Sequence, residues 1–151
     1  MGLNVRDPKL HDIYRVNLKT GAVELDTQNP GDVSGWSADS DLHIRAAQVV
    51  TPDGGTLIRV RDNPKAPWRE FQKWGADDTG GVMGFSADNK SLRLLSSVGA
   101  NTARLLEMEI ATGKSKLIAE DPQYDVGGVM VHPKTKKIEA VQYFQIGRAH
   151  V

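Results

Sequence analysis

The sequence predicts an all-β chain built from repeated units of four short antiparallel strands. Three observations lead there. The first is a strand-turn-strand device, Val82-Met83-Gly84-Phe85-Ser86-Ala87-Asp88-Asn89-Lys90-Ser91-Leu92. A similar copy lies upstream at Val33-Ser34-Gly35-Trp36-Ser37-Ala38-Asp39-Ser40-Asp41-Leu42, and a more worn one downstream at Val129-Met130-Val131-His132-Pro133-Lys134-Thr135-Lys136-Lys137-Ile138. With Ser37, Ser86 and His132 matched, the copies stand 49 and 46 residues apart, the spacing of propeller blades. The second is a pair of turns, Lys19-Thr20-Gly21 and Ala111-Thr112-Gly113, whose glycines are 92 residues apart, about two repeat lengths. The third is that no segment sustains the 3.6-residue period of a helix. Closed propellers need roughly four to eight blades, so the expected fold is a partial β-propeller over residues 1–145. It comprises about three four-stranded antiparallel blades in an open arc.

Taken in order, Ile13-Tyr14-Arg15-Val16-Asn17-Leu18 alternates between two faces as a half-buried strand does. Gly21 supplies the turn, and Ala22 to Asp26 returns as the partner strand. Asn29-Pro30-Gly31-Asp32 breaks the chain before the first copy of the device. Leu42 to Val49 alternates again, and Thr51-Pro52-Asp53-Gly54-Gly55 is dense in turn formers. Thr56 to Arg61 is the next strand. Two prolines, Pro64 and Pro67, then interrupt any ladder, so Trp68 to Trp74 pairs beyond a longer loop. Leu92 to Ser97 and Arg104 to Ile110 continue the pattern. The latter has a helical composition, but the Thr-Gly turn after it favours a strand. Counted from Ile13 to Phe144, about twelve strands result.

Composition narrows the function classes. Nineteen Lys and Arg balance nineteen Asp and Glu without long runs of either sign, which argues against a nucleic-acid or anionic-membrane partner. There is no cysteine, so disulfides and thiolate metal sites are excluded and the redox compartment is left open. No window approaches the roughly 20 apolar residues of a membrane span. Cytoplasm and periplasm are both compatible with the sequence.

Candidate chemistry is sparse. A Gly-x-Ser-x-Gly nucleophile elbow is absent; Gly31-Asp32-Val33-Ser34-Gly35 has the wrong spacing, so Ser34 reads as a strand residue. The histidines His11, His43, His132 and His150 have no second histidine or cysteine at ligand spacing, and neither a metal nor a cofactor is expected. His132 stands where the other copies have serine, as a turn-capping group would. Asp39 and Asp88 recur once per repeat, which suits acceptance of backbone amides in turns better than acid–base catalysis. Trp36, Phe85 and Val131 share one repeat position and are expected to pack between adjacent blades. The pairs Gly54-Gly55, Gly80-Gly81 and Gly127-Gly128 precede no Gly-Lys-Ser/Thr, so they suit turns and close backbone approach in strands rather than phosphate binding. No catalytic, cofactor-binding or metal-binding residue is expected.

Gly35-Trp36-Ser37-Ala38-Asp39 and Gly84-Phe85-Ser86-Ala87-Asp88-Asn89-Lys90 resemble the Phe/Trp-Ser-Pro-Asp-Gly-Lys blade motif of the Tol-system and prolyl oligopeptidase propellers. Alanine replaces the motif's proline in both, and Ser40 and Asn89 replace its glycine. The stretches Gly2 to Gly21, Ala119-Glu120-Asp121-Pro122 and Asp125 to Pro133 resemble more specifically the amino-terminal propeller of prolyl oligopeptidase family peptidases, in the dipeptidyl and acylaminoacyl peptidase-like branch. This resemblance runs from Gly2 to Gln145. It implies a serine peptidase parent in which the propeller caps a carboxy-terminal α/β-hydrolase domain and restricts entry to short peptides. Its partners would be that domain, the remaining blades and a peptide substrate. The family's serine, aspartate and histidine would lie beyond Gln145, so none is assigned here. Blades before Gly2 are also implied, making Met1 an internal methionine. The alternative is a stand-alone protein-binding propeller similar to that of the Tol system. Finally, Ile146-Gly147-Arg148-Ala149-His150-Val151 back-translates to ATC GGA AGA GCA CAC GTC, resembling a sequencing adapter. Residues 146–151 are therefore expected to be read-through rather than native protein.

Overall fold

The computed structural model describes residues 1–145; the adapter-like run and His150 lie outside them. The described residues form thirteen strands and no helix. They fall into two compact units, Met1–Ser34 and the part from Gly35 onward. The first carries an antiparallel sheet of order β1-β2-β3, from β1 (Gly2–Asp7), β2 (Leu10–Val16) and β3 (Val23–Thr27). β1 is absent from the sequence-based expectation, because Val5 lies exposed and the strand is held chiefly by pairing with β2 rather than by a buried face. Asp12 is 0% exposed. Its carboxylate accepts Arg6 Nε at 2.8 Å, Arg6 Nη2 at 2.9 Å and the Asn29 amide at 2.7 Å. The Asn29 side chain in turn donates to Val33 O and accepts from Gly31 N. The Asn-Pro-Gly break is thus held by its own asparagine.

Two complete blades follow, lying in the second unit except for the first two residues of β4. One has the order β4-β5-β6-β7, with β4 (Val33–Ala38), β5 (Ile44–Val50), β6 (Thr56–Val60) and β7 (Arg69–Trp74). The next has β8 (Gly80–Phe85), β9 (Ser91–Ser96), β10 (Arg104–Glu109) and β11 (Ser115–Ala119), paired as β8-β9-β10-β11. A hairpin of β12 (Asp125–Val131) and β13 (Ile138–Phe144) begins a further repeat. The expected four-stranded antiparallel units are therefore present, and Arg104–Glu109 is a strand. The core lies between the two complete blades. Ala46, Ile58, Val60 and Trp74 from one meet Phe85, Leu92, Leu94 and Ile110 from the other. Alternation explains the selection, since Ile58 and Val60 share one face of β6, and Leu92 and Leu94 one face of β9.

The repeat register differs from the one the sequence suggests. The first strands end at Ala38, Phe85 and Val131, and the turns begin at Asp39, Ser86 and His132. Those residues hold corresponding hydrogen bonds: Asp39 N to His43 O, Ser86 N to Ser91 O and His132 N to Lys137 O, each 2.8–2.9 Å. The intervals are then 47 and 46 residues, more even than with Ser37 in the series. Asp39, not Ser37, is the counterpart of Ser86 and His132. Correspondingly, Ala38 rather than Trp36 stands with Phe85 and Val131. Trp36 instead packs 5.9 Å from Trp68. Each turn also carries one non-glycine residue in the left-handed region: Leu42 at φ 63°, Asn89 at 59° and Lys136 at 55°.

Candidate functional site

The three turns are capped by different chemistry doing one task. Asp39 Oδ1 accepts the amides of Asp41 at 3.0 Å and His43 at 2.9 Å. Ser86 Oγ accepts Ser91 N at 2.9 Å and donates to Asp88 Oδ1 at 2.7 Å, which also takes Lys90 N. The Ser86 hydroxyl is the main reason the Asp88 carboxyl is held below its ordinary range. His132 Nδ1 accepts the amides of Lys134 and Thr135 at 3.2 and 3.0 Å. The structural roles expected of Asp39, Asp88 and His132 are those observed.

Asn89 ties successive turns together. Its Oδ1 accepts Ser40 N at 2.8 Å, its Nδ2 donates to Asp41 Oδ2 at 2.8 Å, and its carbonyl accepts Arg45 Nη1 at 3.0 Å. Arg45 also lies 5.5 Å over the Phe85 ring and 3.6 Å from Asp39 Oδ2. The ligand-type atoms of Asp39, Asp41 and His43 come within 4.8 Å of one another, a grouping that the search for histidine pairs did not bring out. Asp39 Oδ1 and Asp41 Oδ2 are committed to the hydrogen bonds just described, so the group is accounted for as a capped turn. His11 is not part of this group; its carbonyl accepts from Asn29 in the first unit.

Where the three first strands end, a cavity of about 230 Å³ opens within the second unit. Ala38, Phe85 and Val131, one from each repeat, contribute apolar lining together with Met83. The register of β8 against β9 shifts between Val82 and Gly84, a bulge in which Gly84 takes φ 122°. The polar lining comes from Asp39, Ser40, Arg93 and Lys136. Arg93 is opposite Glu107 in the β9–β10 ladder, and its Nε donates to Glu107 Oε2 at 3.1 Å. Its side chain is only 8% exposed. Neither Arg93 nor Lys136 was legible as a site residue: Arg93 lies just past the device, and Lys136 is one of three lysines in its third copy, with no pattern that singles it out.

No family model matches the chain. Among curated proteins, the chain is 37% identical over 143 residues to dipeptidyl aminopeptidase BIII of Pseudoxanthomonas mexicana, covering 93% of this chain and 21% of that protein. It is 29% identical over 151 residues to dipeptidyl peptidase family member 6 of Caenorhabditis elegans, covering 93% of this chain and 20% of that protein. The chain thus spans about a fifth of the length of these relatives. Among solved structures, TolB from Acinetobacter baumannii superimposes with a TM-score of 0.59 at 18% identity, over 88% of this chain and 32% of that one. That likeness concerns the fold. Four-stranded antiparallel units, a propeller neighbour and two dipeptidyl peptidase relatives converge: this chain is a dipeptidyl-peptidase-like segment with a β-propeller fold.

Proposed function

We propose that this chain is the non-catalytic propeller segment of a serine peptidase, gating access of short peptides to an α/β-hydrolase domain carried elsewhere in the same polypeptide. The observation that carries the reading is the match to dipeptidyl aminopeptidase BIII, which takes in 93% of this chain but 21% of that protein. It is supported by the absence of a nucleophile elbow from the sequence. A scaffold of rigid strands with side chains converging at strand ends is suited to filtering by size, since its aperture is fixed by packed backbone rather than by mobile loops.

Reading the source DNA through the codon for Gln145 tests the first half. Continuation into Gly-x-Ser-x-Gly with a later aspartate and histidine is expected. A stop codon directly after Val151 would overturn the peptidase reading in favour of a binding propeller. Gating is tested on the complete gene product by comparing kcat/KM for a dipeptide amide and for the same dipeptide at the amino terminus of a folded protein. Equal values would exclude a size filter.

A further inference from the structure

We propose that the cavity at the ends of β4, β8 and β12 is a binding site for a carboxylate attached to a small apolar group. The inference stands independently of the peptidase reading, because it uses only the lining of this cavity and the residues bonded to that lining. Its volume of about 230 Å³ far exceeds the roughly 10–15 Å³ that a single water requires, so an organic acid of a few carbons has room. Arg93 is the anchor. Glu107 engages only Nε, and the two terminal nitrogens of the guanidinium hydrogen-bond to no described residue. A buried guanidinium with its fork free matches the two oxygens of a carboxylate.

Lys136 supplies a second cation. Its left-handed backbone, φ 55°, sets it in the turn that follows β12, and it forms no ion pair among the described residues. The Ser40 backbone amide is occupied by Asn89, leaving the Ser40 hydroxyl as a third donor on the cavity wall. The acidic groups nearby are already matched. Asp39 takes two amides and faces Arg45 at 3.6 Å and His43 at 3.7 Å, while Glu107 faces Arg93. Among the charged residues that line the cavity, Arg93 and Lys136 outnumber Asp39 by one. A monoanion balances the excess. Ala38, Met83, Phe85 and Val131 in the same lining would contact the carbon part of the ligand, apolar surface that inorganic phosphate leaves uncovered.

Calorimetric titration of the whole 151-residue chain with N-acetyl-leucine, N-acetyl-leucine amide and inorganic phosphate provides the test. The acid is expected to bind, and the amide and phosphate at least tenfold more weakly. Lys136→Asn removes the charge with a residue that tolerates positive φ, and Arg93→Lys removes the fork while keeping the charge. Each should weaken the acid about tenfold. Should Arg93→Lys fail to fold, Lys136→Asn decides alone, with its circular dichroism spectrum showing an intact fold. Isovalerate and N-acetyl-alanyl-leucine separate the two sources of such a group. Binding of both, or of the peptide alone, points to a peptide carboxy terminus, and binding of isovalerate alone to a free small acid; each upholds the carboxylate site. Equal binding of acid and amide, tighter binding of phosphate, no binding of the acid, or an unchanged affinity in Lys136→Asn would overturn it.

Discussion

A β-carbon added to Gly80 would fall within the indole of Trp74. Trp74 cannot yield readily, being 1% exposed, with Nε1 donating to Ser96 Oγ at 2.9 Å. Overpacking of this kind costs about 1–3 kcal/mol, so Gly80→Ala should lower the urea midpoint accordingly. The adjacent Gly81 has nothing within 4 Å of a new β-carbon, and Gly81→Ala should stay within about 0.5 kcal/mol of the parent. Equal losses at the two positions would show that the indole does not fix Gly80. A second residue-scale consequence concerns pH. The Arg6 hydrogen bonds, then the Asn29 amide, hold the Asp12 carboxyl below its ordinary range. The unfolded chain therefore binds the Asp12 proton at a higher pH than the native one does. The resulting stability is complete above the ordinary carboxylate range and disappears as pH falls through the depressed native value. Asp53 and Asp88, also depressed, act in the same direction. In Asp12→Asn, the decline of the thermal midpoint with acid should be shallower than in the parent.

At the scale of the element, the turns decide how one repeat is fastened to the next. Asn89 combines a left-handed backbone with side-chain bonds to the preceding turn. Asn89→Gly retains the backbone freedom and loses those bonds, at about 1–3 kcal/mol. Asn89→Ala loses both and should fall a further ~1 kcal/mol below it in a denaturant titration. The turn glycines were legible in the sequence because left-handed backbone narrows the choice of residue; Gly21 and Gly113 lie at φ 74° and 72°. The turn register was not legible, because a carboxylate, a hydroxyl and an imidazole nitrogen all accept backbone amides. Ser37 therefore resembled Ser86 while Asp39 took its place. β1 was missed for a different reason: pairing between backbones leaves little trace in side-chain pattern when neither face is buried.

For the whole molecule, the free edge of β13 matters most. Among the described residues β13 pairs only with β12, and Met130 and Phe144 on this hairpin are 64% and 53% exposed. An unpaired edge with apolar neighbours is a template for another chain. Light scattering should report mass rising with concentration, and Met130→Lys together with Phe144→Lys should return it towards the monomer. A concentration-independent monomer for the parent chain would contradict this. The blades themselves could be read from period and alternation, both of which are local properties. The cavity could not, since Arg93 and Lys136 lie 43 residues apart and meet only through the stacking of repeats.

Ala38, Phe85 and Val131 border one space from three copies of one structural unit. Each wall is thus encoded in a separate tandem stretch of the gene and free to diverge alone. Duplication or exchange of a single unit would re-line one side of the cavity while leaving the opposite sides, and the strands that carry them, as they were.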